Sequence, residues 1–303
     1  MRRFIIPMIA LVAGASVANT ETNGVFLDPA RIGWSSVEYR ASLLFISIDT
    51  AVSIEVADPV NLPGILIEPG EGKGAEPGDA VTRVRLMSNG LGLHSEISLF
   101  LNTDTGLALQ RVSHDTGKRM RHRIYRFTDI GAYQRTWWPV GDAEKSLPRD
   151  RWPEWSERAE GLYPYPEEAF NAIVTEPGGL LYLVGAAPLN KVGDEFEILA
   201  YIRRHVHRVR IEVVGIEDIR EKFDEYQGGT RIKRKGTIPT LKLLIRGEVL
   251  GDEDEDFEML GLRGDISMNM DLITRAPLRV TGAVKIVGQI TMRIQRLDRV
   301  ETK

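Results

Sequence analysis

Residues 36–56 read SVEYRASLLFISIDTAVSIEV, and the spacing within them decides the fold. Val37, Tyr39, Ala41, Leu43 and Phe45 alternate with Glu38, Arg40 and Ser42. Successive side chains of a strand point to opposite faces. A period of two therefore sends one set to a core and the other to solvent. The β-branched and aromatic content agrees with that reading.

The pattern extends outward. Strands are expected at 81–87, 91–101, 107–112 and 121–127, with turns at Asp104-Thr105-Gly106 and Asp115-Thr116-Gly117. From Glu195 the β pattern returns: 195–214 as a long strand or a hairpin, then 222–235, 239–248, 257–270 and 276–296. Residues 247–256, GEVLGDEDED, read as an acidic hairpin tip. Residues 62–78 hold three prolines and five glycines and are expected to be a mobile loop. Pro166–Ala187 is the best helical region, with Glu167 and Glu168 in a first turn and a break at Pro177-Gly178-Gly179. No internal repeat is visible.

The expected fold is therefore mainly β, an antiparallel curled sheet forming an open barrel or roll. A long Trp/Pro-rich loop and one or two short helices would pack across one end or face. One β-rich domain is expected over 19–303, with a β lobe at about 34–130, loop and helices at about 131–190, and a second β lobe at about 191–297.

The N-terminus suggests an address. Arg2 and Arg3 precede the apolar run Phe4–Val12, and Ser16-Val17-Ala18 is a small-x-small site. Residues 1–18 read as a signal peptide, so the chain is expected in the periplasm. The sequence has no cysteine, so no disulfide forms and no cysteine is available for acylation. No later apolar run is long enough to span a bilayer, so no transmembrane segment is expected. Loss of Arg2 and Arg3 takes the formal charge from −4 to −6, which argues against a nucleic-acid partner. Local basic patches leave room for peripheral membrane contact.

Four of the five tryptophans lie in one stretch, residues 136–165, TWWPVGDAEKSLPRDRWPEWSERAEGLYPY. Trp137, Trp138, Trp152 and Trp155, with Tyr163 and Tyr165 behind them, suit a lipid, glycan or protein contact. They equally suit the private core of a long ordered loop. Pro139 and Pro153 each follow a tryptophan and favour extended backbone there. The polar residues 141–150 would then be a mobile tip.

Residues 203–210, RRHVHRVR, supply Arg203, Arg204, Arg208 and Arg210, whose guanidinium groups suit phosphate or carboxylate. Pairing with acids across the sheet is the competing role. A second basic patch is Lys118, Arg119, Arg121 and Arg123, and a third is Arg231, Lys233, Arg234 and Lys235. His205 and His207 share a strand face, as two metal ligands would, but no third ligand is apparent and that face continues as Val209, Ile211 and Val213. No metal and no cofactor are expected. No G-x-S-x-G, cysteine nucleophile or phosphate loop is present. The acid-rich spots, 252–256 and Glu167-Glu168, read as a solvated turn and a helix start. No catalytic residue is assigned.

The C-terminal half resembles a known family. The cues are Leu180-Leu181-Tyr182, Pro188-Leu189, Gly193-Asp194, the strand end Gly215-Ile216-Glu217, and the closing run Asp271, Arg275-Ala276-Pro277-Leu278 and 282–288. The strand centred on Tyr39 fits its start. These are similar to the secreted bacterial family known as domain of unknown function 3108, in which an acidic residue and a turn of this type precede two closing strands. The acidic hairpin and the Trp-rich loop fall outside its motifs. The resemblance implies an antiparallel, curled β-sheet in the periplasm and no catalytic residues. The expected function is that of a non-catalytic envelope protein binding an amphipathic lipid or glycan, or a protein partner. An enzyme acting on envelope glycan or lipid and a structural envelope component are the alternatives.

Overall fold

The computed structural model describes residues 27–43, 46–90, 92–251, 255–285 and 288–300. The expected signal peptide lies outside the described residues.

The opening stretch folds as a hairpin, β1 (Trp34–Leu43) and β2 (Ile46–Ala57), with Leu43 paired to Ile46. Val37, Tyr39 and Ala41 are buried while Glu38, Arg40 and Ser42 are exposed, as the alternation requires. An antiparallel meander continues through β3 (Val81–Gly90), β4 (Leu93–Asn102), β5 (Ala108–Gly117), β6 (Arg121–Phe127) and β7 (Gly131–Trp138). Helix α1 (Asp142–Lys145) and a 3-10 turn (Arg149–Glu154) lead into edge strand β8 (Glu157–Pro164). The second half comprises β9 (Val174–Thr175), α2 (Leu180–Ala186), β10 (Glu195–Ile202), β11 (His205–Gln227), β12 (Thr230–Val249), β13 (Glu258–Met259), β14 (Leu262–Asp271), β15 (Pro277–Val284) and β16 (Gly288–Arg299).

All these strands join one large, mostly antiparallel sheet. β1 pairs with β16, so the first and last strands are neighbours and the two halves are continuous. β11, at 23 residues, pairs with β10 at its start and runs parallel beside β16 at its end, Asp224–Tyr226 against Arg296–Asp298. This closes β11, β12, β14, β15 and β16 into a ring. The register shift between Val213 and Gly215 falls midway, where an extra residue lets a long strand bend.

Helix α2 explains the curl. Its seven residues are all buried, and a helix that is apolar on every side must be enclosed. It packs between two turns: the Tyr182 hydroxyl donates to Thr103 O at 2.7 Å, and Arg275 donates to the carbonyls of Val184, Gly185, Ala187 and Leu189. Val184 and Gly185 are among the carbonyls a helix leaves unpaired at its end, and Ala187 and Leu189 belong to the chain just past it. Burial lowers the Arg275 pKa to about 10. The Asp271 carboxylate accepts from Ile273 N, Thr274 N and the Thr274 hydroxyl, shaping the turn that presents Arg275. Trp34 and Tyr39 of β1 reach the same region, donating to Arg275 O and Pro277 O.

Four local expectations are corrected. Asp115-Thr116-Gly117 is not a turn but the end of β5, and the connection to β6 is 118–120. Ahead of the expected break, 166–176 form a 3-10 turn and a short strand rather than a helix, while the short apolar helix expected from Leu180 does form. Pro166 and Pro177-Gly178-Gly179 confine α-helix to Leu180–Ala186, and Val174–Thr175 instead pair parallel with β10. Residues 62–78 are held against the convex face of the meander. Gln110 bonds Ile65 O and Ile67 N, and Arg126 donates to Ile67 O and Ala75 O. Trp152 lies in a 3-10 turn rather than in extended backbone, despite Pro153.

Candidate functional site

Strand alternation builds the concave face of the meander. On β3 the inward series runs Val84, Leu86, Ser88. On β4 it runs Leu99, Ile97, Ser95, and on β5 it runs Arg111, Ser113, Asp115. On β6 it runs Phe127, Tyr125, Arg123, Arg121, with Tyr125 opposite Arg111 and Arg121 opposite Asp115. The surface is thus mainly apolar toward α2, with Arg111 set among Leu99 and Tyr125, and becomes more charged toward the tip of the β5–β6 hairpin.

A cleft of ≈ 460 Å³ opens between this face and the turns before β11 and β14. Its apolar wall includes Leu86, Ile97, Tyr125, Phe127 and Leu260. Five arginines line it, Arg111, Arg121, Arg123, Arg203 and Arg204, against two glutamates, Glu176 and Glu258. The Arg111 and Arg123 guanidinium carbons lie 5.5 and 5.9 Å from the centroid of one ring, Tyr125. Tyr201 packs edge-on to Tyr125 and Phe127, and burial raises its hydroxyl above the ordinary tyrosine range.

The charges are unevenly matched. Asp115 pairs closely with Arg121 and lies 3.5 Å from Arg123. Burial acts to raise the Asp115 pKa, but hydrogen bonds from Ser95 and Arg121 outweigh it and the net shift is downward. Arg111 Nε is 3.5 Å from Glu176. That wall therefore has two carboxylates for three guanidinium groups. Burial lowers the pKa of Arg123, and the Nε atoms of Arg111 and Arg123 are buried with no hydrogen-bond acceptor among the described residues.

Opposite stands the β10–β11 turn. Ile202 pairs with His205, leaving Arg203 and Arg204 as a two-residue connection with φ of 51° and 81°. Such turns need the left-handed region at both central residues and favour Asn-Gly or Gly-Gly. β11 ends on the same kind of turn, where the residues are Gly228 and Gly229. One end of the strand thus has the unstrained choice and the cleft end has two arginines. Each non-glycine residue held there costs about 1–2 kcal/mol. Arg203 pairs with Glu255 and Glu258, and Arg204 lies 4.2 Å over the Tyr163 ring.

The structure divides the residues singled out from the sequence. Arg203, Arg204 and Tyr163 meet at the cleft mouth, and Tyr165 packs behind on Tyr201. Arg208 and Arg210 sit on the outer face of β11, paired with Glu197 and Glu195. Trp152 and Trp155 stack on each other at the convex face. Their indole N–H groups donate to Leu147 O and Glu144 O, so residues 141–150 are tied down rather than a mobile tip. Trp137, half-buried, lines a separate groove with Arg135 and Arg158, and Trp138 points to the other face of β7. Beneath Trp152 lie His114 and His122, stacked with Nδ1 atoms 2.8 Å apart. Burial lowers them to about 4 and about 3, and the Arg149 charge adds to it. His207 is fully buried in the core.

Arg111, Arg121 and Arg123 were not joined to Arg203 and Arg204 by sequence reasoning. A signal existed, because Arg111 and Arg123 fall on one face once β5 pairs with β6 across the 118–120 connection. Nothing local places residue 203 opposite them.

Comparison with protein-family models, with curated proteins and with solved structures finds no match to this chain.

Proposed function

We propose that this chain is a non-catalytic cell-envelope protein that binds an amphipathic ligand in the concave cleft. The observation that carries the reading is the polarity of that cleft, with an apolar wall continuous with the core and an arginine-rich mouth. Small-ligand sites are mostly apolar concavities with a few placed polar groups. A ligand with a hydrocarbon part and a charged head matches both zones. The strained Arg203-Arg204 turn supports the same reading, since backbone strain tends to gather where a site needs a particular side chain. The signal-like N-terminus supports the envelope address.

The test is native mass spectrometry on protein purified without detergent. The expected spectrum shows an amphipath-sized adduct that Ile97→Trp, which fills the cleft, removes while the fold is retained. Protein that carries no adduct and takes up no added single-chain or short-chain amphipath would sink the proposal.

A further inference from the structure

We infer that the cleft selects a phosphate or phosphomonoester head group, clasped between the β5–β6 arginines and the β10–β11 turn. This rests on the amphipath reading and specifies its polar end.

Valence distinguishes a phosphate from a carboxylate. A carboxylate has one charge and two oxygens, and a single guanidinium satisfies it in bidentate fashion. Here Arg111, Arg121 and Arg123 converge from two adjacent strands on one wall, and among the described residues their carboxylate partners are Asp115 and Glu176, with the Tyr125 hydroxyl accepting from Arg123. Arg203 and Arg204 stand on the facing turn. Arg203 is already matched by Glu255 and Glu258, so the shortage of acceptors lies on the β5–β6 wall, at the buried Nε atoms of Arg111 and Arg123. Guanidinium groups buried with too few acceptors are unfavourable, and an anion presenting several oxygens to that wall, with Arg204 from the facing turn, relieves the imbalance. A phosphomonoester fits, with three terminal oxygens and about −1.5 to −2 charges near neutral pH.

The turn explains why strain is accepted. With φ positive at both residues, the two arginines are carried on a rigid two-residue connection rather than a long loop. Tyr163 braces Arg204 from the edge strand β8. The clasp thus joins the first half of the sheet, through β5, β6 and β8, to the second, through β10.

The experiment is calorimetric titration of the purified protein with four probes: dihexanoyl phosphatidic acid, dihexanoyl phosphatidylcholine, hexanoate and inorganic phosphate. The expected order places phosphatidic acid first, at least about tenfold tighter than the choline lipid of equal chain length. Arg123→Gln and the exposed Arg204→Gln should each weaken phosphatidic acid about ten- to a hundredfold and affect the choline lipid, whose phosphodiester carries one charge and two free oxygens, clearly less. Arg204→Gln keeps the test alive should Arg123→Gln misfold. Equal binding of the two lipids, with Arg204→Gln silent, overturns the phosphate inference and leaves the amphipath reading standing. Inorganic phosphate binding as tightly as the lipid supports the phosphate site and refutes the lipid. No binding by any probe overturns both.

Discussion

The guanidinium of Arg204 lies over the ring of Tyr163, 4.2 Å from its centroid. The arginine sits in a hairpin turn of the second half of the sheet, and the tyrosine on the edge strand of the first. Cation–π contacts at exposed sites contribute roughly 0.5–1 kcal/mol. Tyr163→Leu should therefore change stability little while loosening the hold on Arg204. The expected readout is a several-fold faster ligand off-rate with the melting temperature nearly unchanged. An unaltered off-rate would show that Tyr163 plays no part in the clasp.

The strained turn should trade stability for binding. Replacing Arg203-Arg204 with Asn-Gly installs the residues that this geometry favours. Relief of strain should exceed the loss of the partly exposed ion pairs of Arg203, which are worth about 0–1 kcal/mol. Urea denaturation should show a gain of about 1 kcal/mol, with ligand binding lost. A less stable variant would mean that the turn is not strained in the sense argued.

Arg275 should be indispensable to the fold. Its side chain satisfies four carbonyls around the end of α2. Arg275→Met removes that donor from all four, with only Ala187 O keeping a bond from Leu189 N, and should cost about 3 kcal/mol or more. Arg275→Lys should recover only part of that, because an ammonium lacks the planar fork. Equal denaturation midpoints for the lysine variant and the parent would contradict this.

The tryptophans should separate by face and depth. Trp155, 2% exposed, should cost about 3–5 kcal/mol on change to alanine. Half-buried Trp137 should cost clearly less. Thermal melts of the two variants decide the matter, and similar losses would contradict the assignment.

Acid should weaken the fold through its buried histidines. Burial lowers His114 to about 4, His122 to about 3 and His207 to about 4, from 6.5. As pH falls below about 6.5 the unfolded chain takes up protons on these rings before the folded chain does. Stability present above pH 6.5 is therefore lost as pH falls toward about 4, by up to about 1.4 kcal/mol per pH unit per ring. His207 has neither ring nitrogen hydrogen-bonded among the described residues. His207→Leu should flatten the slope between pH 6.5 and 5 by about one ring's share, read from urea midpoints. Parallel curves would assign the acid sensitivity elsewhere.

The strands were legible because half-buried β structure writes itself as alternation. Val37, Tyr39 and Ala41 point inward, and the His207-Val209-Ile211-Val213 face is core. Helix α2 was legible, since Leu180–Val184 is apolar on every side and follows the Pro177-Gly178-Gly179 break, whereas the helix expected ahead of that break does not form. The Trp-rich stretch carried no periodic signal because its rings pack on a sheet face made elsewhere: Trp152 meets His114 and Trp137 meets His122. The cleft was the least legible feature. Its arginines come from β5, β6 and the β10–β11 turn, and only the curl of the sheet sets them face to face.

The pairing of β1 with β16 bears on how the chain reaches this state. Ser35 donates to Asp298 O across 263 residues of sequence. A sheet whose first strand waits for its last has a high contact order, and such chains fold in milliseconds to seconds rather than microseconds. Until β16 is made, β1 presents an open row of backbone donors and acceptors to any other strand in reach. Holdase chaperones that bind extended chain would act on this interval, and aggregation should compete with refolding in proportion to protein concentration.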